Sequence, residues 1–373
     1  ELYGDIIARD NWSEKGSYYH YYYHPFDTKD GFKLLMTGDG VQTISIPENN
    51  KIANLSQGEM NVLQLEKGLA VNNLNTDLRI KDLGEGLSIL NGNEKQINII
   101  GECTGNINIT NCSLKADSNI NSKSINMHSS SGQIVGDCIT GSLYMGNSKL
   151  EITGDCTYTG SISMKNAEDY LKIGGNLYAN GYSRENSYYL LTNGTMEIHG
   201  DIVARDNWSE TIGYYHDYYY PFDTKDDFKL LMTGDGVQTI SIPANNQVAN
   251  LQQGADSIIQ ASNNLNITNL QSDCHMENVA KATIKNWNDY TLTNARCSSE
   301  IKFSYPNNYS YSVSQDEEQL YTSVYKPEQL SRPTSNISNG STVELNTVVK
   351  LKQGNSRATI YYTLDGSDPT RES

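Results

Sequence analysis

The chain has 373 residues, with 44 acidic and 28 basic side chains, a formal charge of −16 and a pI near 4.8. That balance argues against nucleic acid or an anionic membrane as a partner, because phosphate binding needs clustered Lys and Arg. With 37% hydrophobic and 19% charged residues it is neither a coiled coil nor a charge-driven disordered tail, and no stretch reaches the roughly 18 apolar residues of a membrane span. Its 26 Tyr and 30 Gly against 8 Pro suit short strands joined by tight polar turns.

The chain opens on Leu2-Tyr3-Gly4-Asp5-Ile6, an apolar-x-Gly-acidic-apolar motif that recurs as Ile99-Ile100-Gly101-Glu102-Cys103, Ile134-Val135-Gly136-Asp137-Cys138, Ile152-Thr153-Gly154-Asp155-Cys156, Ile173-Gly174-Gly175-Asn176-Leu177 and Ile198-His199-Gly200-Asp201-Ile202. Glycines of the last four copies are 18, 21 and 25 residues apart, about one rung of a solenoid. A start without Met, inside this motif, predicts a piece of a longer multidomain protein. Between the motifs lie short alternating runs, such as Thr43-Ile44-Ser45-Ile46, Asp77-Leu78-Arg79-Ile80 and Asn106-Ile107-Asn108-Ile109. Period-two alternation broken by Gly, Asn and Asp marks half-buried strands, and no window carries a helical stripe.

These features predict an all-β chain, a right-handed parallel β-helix (β-solenoid), over residues 1–271. Each coil would bury inward Ile, Leu, Val or Cys against the next coil. Gly at the motif is expected to supply a positive φ, and Asp or Asn to cap backbone donors. A β-sandwich is the rival, since alternation alone does not separate the two; regular glycine spacing and few Pro favour the solenoid.

Residues 4–58 align without a gap to residues 200–254, at an offset of 196 and with 44 of 55 positions identical. Each copy carries a Trp and then an aromatic run with Tyr18, Tyr19, Tyr22 and Tyr23, or Tyr214, Tyr215, Tyr218 and Tyr219; the Trp residues are Trp12 and Trp208. Two readings stand for these ten residues. Exposed rings would stack on sugars while phenol hydroxyls bond to sugar hydroxyls; alternatively the run is a loop folded back to cover apolar surface. Near-identical duplication points to spacing or multivalency, whereas turnover needs a single active site.

Catalytic and metal signatures are sparse. The six His form no His-x-His or His-Glu-x-x-His pattern, so no zinc site is expected. Asp27, Asp30, Asp39, Asp223, Asp226 and Asp235 could offer oxygens to Ca2+, but their spacing matches no calcium loop, and solvated turn carboxylates are the simpler reading. No Gly-x-Ser-x-Gly elbow is present, and the adjacent pair Asp226-Asp227 is not kept in the first copy, where Gly31 replaces the second Asp. Cys103, Cys138 and Cys156 take the slot filled elsewhere by Ile6, Leu177 or Ile202, which predicts buried reduced thiols, while Cys274 with Cys297 is the pair suited to a disulfide.

From residue 272 to 329 the glycine motif is lost and an acidic run, Asp316-Glu317-Glu318, appears, as expected of a solenoid end-cap and linker. Residues 330–373 contain Ala358-Thr359-Ile360-Tyr361-Tyr362-Thr363-Leu364-Asp365-Gly366-Ser367-Asp368-Pro369-Thr370. This run resembles the chitobiase/β-hexosaminidase C-terminal-type domain, a non-catalytic Ig-like sandwich appended to secreted bacterial enzymes and surface proteins, here cut short at Ser373. The solenoid region resembles repetitive segments of large cell-surface proteins of Gram-positive, often anaerobic or gut-dwelling, bacteria. The resemblances imply an extracellular location. Together these readings predict a non-catalytic stalk or adhesive display scaffold, with polysaccharide, extracellular matrix or cell wall as partner. A carbohydrate-binding module using the Tyr/Trp loops is the alternative, and a polysaccharide-degrading β-helix enzyme a more distant one.

Overall fold

Alternating side chains become two stacks of parallel strands in the computed structural model. It describes residues 1–47, 50–101, 103–277, 279, 282–297, 305–316, 319–325, 333–338, 340–352 and 360–363, without the side chains of 212, 294–297, 313–316 and 319–322. The described residues contain strands, bridges and turns but no helix, and hence no helix able to cross a membrane. The chain passes back and forth between two long parallel sheets. The first has fourteen strands, from Ile6–Ile7 to Ala282–Asn286, and so thirteen strand-to-strand steps. At about 4.8 Å per step these cover roughly 62 Å along the axis. The second runs from Leu34–Met36 to Leu292–Cys297. This is the β-solenoid expected from the alternation, and the parallel pairing excludes the sandwich rival for this region.

Inward residues form columns along the axis. In the first sheet Ile134, Ile152, Ile173, Ile198 and Met232 are consecutive register partners, and in the second Cys138, Cys156, Leu177, Ile202 and Ile240. All are buried. No coil can bury its own apolar row; each ring closes on the ring above and below. Burying one such side chain contributes about 1.5–3 kcal/mol, and most of the stability comes from this repetition.

The Gly-Asp corner works differently from the expectation. Asn119 Oδ1 accepts the N–H of Asp137 (2.8 Å), Asp137 Oδ1 that of Asp155 (2.9 Å), Asp155 Oδ1 that of Asn176 (2.7 Å), Asn176 Oδ1 that of Asp201 (2.8 Å) and Asp201 Oδ1 that of Thr239 (2.7 Å). Each acidic or amide side chain thus caps the backbone of the following coil. Of the glycines in these corners Gly136 alone has a positive φ, at 115°; Gly154, Gly175 and Gly200 do not. What they need is space, since a Cβ on any of them would collide with the Oδ1 reaching up from the coil before.

A buried amide network closes the other corners. Gln42 donates to the carbonyls of Leu2 (3.4 Å) and Gly4 (2.8 Å) and accepts from Gly38 N–H (3.2 Å); Gln238 repeats these bonds to Ile198, Gly200 and Gly234. The stacked coils continue past residue 271 through Cys274–Glu277, Ala282–Asn286 and Leu292–Cys297. There the antiparallel strands Gln319–Tyr325 and Ser310–Asp316 cover the end, so the segment expected as cap begins with further coils. In the tail one short antiparallel pair, Thr334–Ser335 with Leu351–Lys352, is described, and the run 364–370 lies outside the described residues.

The proposed Cys274–Cys297 disulfide is corrected. Cys274 lies opposite Leu292 in the parallel ladder, five residues before Cys297, which separates the two backbones by about 16 Å along the strand. A disulfide tolerates a Cα separation of no more than about 7 Å. Cys103, Cys112, Cys138, Cys156 and Cys274 are all free and buried.

Candidate functional site: two aromatic hairpins

Both aromatic runs fold as antiparallel hairpins ejected from a coil. Trp12–Lys15 pairs with His20–Tyr23, and Trp208–Ile212 with Tyr215–Tyr220. β-Branched and aromatic residues favour an extended backbone, and the alternation fixes which rings share a face. Register partners lie on one side: Trp12 with Tyr23 and Glu14 with Tyr21 in the first hairpin; Trp208 with Tyr219 and Glu210 with Asp217 in the second.

The tryptophans are not open platforms. Tyr23 stacks on Trp12 (centroids 4.7 Å, planes 9° apart), and the Arg9 guanidinium sits 3.2 Å over the same ring. Trp208 is held likewise by Tyr219 (5.0 Å, 20°) and Arg205 (4.1 Å). Two groups that close to one ring must occupy opposite faces, so neither indole offers a free face to a sugar. The stack instead braces the hairpin base. Tyr182 adds an edge contact to Trp208 and a tilted one to Tyr219.

The tyrosines beyond the stack are open. Tyr18, Tyr19 and Tyr22 are 91, 72 and 70% exposed, and Tyr214, Tyr215 and Tyr218 are 104, 76 and 49% exposed. The two sequence readings therefore divide by residue: the Trp, Tyr23 and Tyr219 pack, while the remaining six rings face solvent. Phe222 and Phe228, which follow the second hairpin in the chain, are both fully buried, in contrast to these tyrosines.

Sequence reasoning missed a second element. Arg184–Glu185 and Tyr188–Tyr189 form a small hairpin from the preceding coil that extends the second aromatic hairpin into a four-stranded sheet. Arg184 lies 3.9 Å over Tyr220 and 4.7 Å over Tyr189, and its Nη1 bonds the buried Asp223 carboxylate at 2.6 Å. Burial pushes Asp223 above the ordinary carboxylate value, although the Arg184 bond pulls the other way. The signal was present as Tyr182-x-Arg184-Glu185-x-x-Tyr188-Tyr189, but it lies outside the duplicated block. Below it, the fully buried Tyr158 donates its hydroxyl to the Pro221 carbonyl. Tyr188 stays exposed, with Lys165 Nζ donating to its hydroxyl at 2.7 Å.

Of the carboxylates weighed as calcium ligands, Asp27 and Asp223 accept backbone N–H groups, from Lys51 and Gln247 (both 2.9 Å), and among the described residues no three His, Cys, Asp or Glu converge. Away from the hairpins, Glu197 accepts hydrogen bonds from Tyr170 and Thr233 (3.1 Å) and pairs with His199 (2.9 Å). Partial burial pushes its carboxyl up, but these bonds together outweigh burial and hold it below its ordinary value. An acid kept ionised does not suit proton donation at neutral pH.

The family described as Chitobiase/beta-hexosaminidase C-terminal domain matches residues 337–373. That match agrees with the resemblance carried by the Tyr361-Tyr362-Thr363 run and leaves the solenoid outside it. No curated protein and no solved structure matches the chain.

Proposed function

We propose that this chain is a non-catalytic, extracellular adhesive segment of a bacterial surface protein, in which a β-solenoid holds two tyrosine-rich hairpins out to polysaccharide of a matrix or cell wall. The observation that carries this reading is the division within each hairpin, where a capped Trp makes the base stiff and at least three tyrosines remain uncovered. Rings that are large, rigid and carry a hydroxyl give contact area and hydrogen bonding at low entropic cost, and exposed aromatic clusters of this kind mark interaction sites. The C-terminal match, to a domain named for carbohydrate-cleaving enzymes, supports a carbohydrate setting. Free cysteines suit an extracellular location when they are as buried as these, because a buried neutral thiol is neither nucleophile nor ready partner for exchange.

The test is a pull-down of the full chain on chitin, cellulose, xylan and mucin glycans. Changing Tyr18, Tyr19, Tyr22, Tyr214, Tyr215 and Tyr218 together to Ser should reduce retention on the best of these at least tenfold, with an unchanged melting curve. Equal retention of wild type and variant would remove the hairpins from the binding surface. Release of reducing or unsaturated sugar ends would replace adhesion by catalysis.

A further inference from the structure

The two hairpins are copies in sequence but not in orientation. In the first copy Ile6–Ile7 and Gly40–Ser45 belong to the fourteen-stranded sheet; their equivalents Ile202–Ala204 and Gly236–Ser241 belong to the other sheet. The exchange is reciprocal, since Leu34–Met36 and Lys51–Gln57 lie in the second sheet while Lys229–Met232 and Gln247–Gln253 lie in the first.

Two side-chain ladders report the same exchange independently. Asp5 Oδ1 caps Thr43 N–H (2.7 Å) where the chain enters the first sheet, but Asp201 Oδ1 caps Thr239 N–H (2.7 Å) where it enters the second. The asparagine ladder Asn54, Asn73, Asn91 runs up the second sheet, and its counterpart Asn250, Asn269, Asn286 runs up the first. From Ile6–Ile7 to Thr195–Ile198 there are nine strand steps within the first sheet, and the chain then crosses to the other sheet before the second hairpin leaves. The unit therefore spans nine coils and part of another, about 43 Å along the axis at the usual strand spacing.

We infer that the hairpins bridge two separate glycan surfaces instead of doubling the grip on one. This inference rests on the hairpins being the binding surface, as proposed above. Avidity on one surface requires both sites to reach it together, and it vanishes where geometry forbids simultaneous engagement. Strand-to-strand hydrogen bonds hold each coil on the next and so fix the two faces relative to each other, and the second hairpin is fixed to its coil by the Arg184–Asp223 pair and by Tyr158. Outward residues at the two hairpin roots, Ile7 and Val203, are both exposed, each on its own sheet. Since an outward row points away from the core on its own sheet, the two roots lie on different faces of the solenoid.

The experiment uses the full chain, its Tyr18/Tyr19/Tyr22→Ser and Tyr214/Tyr215/Tyr218→Ser variants and the combined variant. The probe is whichever of chitin, cellulose, xylan and mucin glycan retains wild type best, presented both as coated particles and as a coated flat sensor. The bridging arrangement gives particle agglutination by wild type and none by either single-hairpin variant, while both variants keep a sensor affinity within about threefold of wild type. Sensor affinity at least tenfold better for wild type than for either variant, without agglutination, would place both hairpins on one side and overturn the inference while leaving the binding reading intact. Retention of the combined variant at the wild-type level, or no retention of wild type on any probe, would overturn the binding reading and the bridging inference with it.

Discussion

Asp155 Oδ1 accepts the backbone N–H of Asn176 from the next coil at 2.7 Å, in the space that a side chain on Gly175 would need. The same relationship joins Asp137 to Gly154 and Asn176 to Gly200, so the recurring Gly-Asp pair is one device split between successive coils. The acidic residue of one coil and the glycine of the following coil are each other's reason for being there.

Gly175→Ala should accordingly destabilise the surrounding coils by about 2–3 kcal/mol, the cost of forcing atoms into a filled site. Asp155→Ala should cost about 1–2 kcal/mol, by leaving an amide unpaired. The double variant should cost less than the sum by about 1 kcal/mol, because removing the carboxylate makes part of the room. Hydrogen exchange of the Asn176 amide and urea melts of the four proteins measure this; strict additivity would show the two positions to be unrelated.

The interior glutamines are expected to be more costly to remove than their surface counterparts. Gln238→Leu removes the donor that serves the Ile198 and Gly200 carbonyls and the acceptor that serves the Gly234 N–H in a buried corner, a loss of about 2–4 kcal/mol. Tyr214→Ser, at the open tip of the second hairpin, should move the melting midpoint by less than the equivalent of about 0.5 kcal/mol. A urea titration of both variants separates a buried polar network from an exposed ring.

Alkaline pH should weaken the solenoid. Burial pushes the thiols of Cys103 and Cys274 up to about 12 and that of Cys112 to about 11, from an ordinary value of 9.0. In the unfolded chain these thiols ionise from about pH 9, while in the fold they stay protonated. The folded state then binds more protons, so stability is full below pH 9 and falls as pH rises through the window towards 11–12. In the native protein at pH 8, iodoacetamide should leave Cys103, Cys112, Cys138, Cys156 and Cys274 unmodified; in 6 M guanidinium all five should react. Mass mapping of the cysteine peptides reads both outcomes.

Arg184→Met should loosen the second hairpin in a pH-dependent way. Burial already raises Asp223 above the ordinary carboxylate value, so its contribution is best at low pH and declines as pH rises through the raised value. Removing the guanidinium leaves the buried charge unpaired, at a cost of about 2–4 kcal/mol near pH 7, and part of this should return at acid pH as the carboxyl takes up a proton. Faster exchange of the Ser183 and Asn186 amides, which bond to Tyr220 and Tyr218 of the hairpin, reports the change. A loss of equal size at both pH values would contradict the charge argument.

Much of this architecture was legible in the chain. Alternation in Ile134, Ile152, Ile173 and Ile198 named the inward rows, and the Ile-like slots of Cys103, Cys138 and Cys156 foretold buried thiols, because period-two burial is local to a strand. The glycine motif was visible but its purpose was not, since the carboxylate that excludes a Cβ comes from another coil. For Trp12 and Trp208 the chain left sugar stacking and packing both open, and Arg9 and Arg205 on their rings decide for packing; an Arg three positions before each Trp was the available sign.

The sequence by itself determined that there are coils, which residues line them and that one block is duplicated at an offset of 196. Only the tertiary structure decided which face each copy occupies. From Ile134 to Ile152 a coil takes 18 residues, and from Ile6 to Ile44 it takes 38, because the first hairpin is inserted there, yet each coil adds one strand step. Residue number therefore does not count turns, and a block repeated without a gap along the chain returns on the other sheet in space.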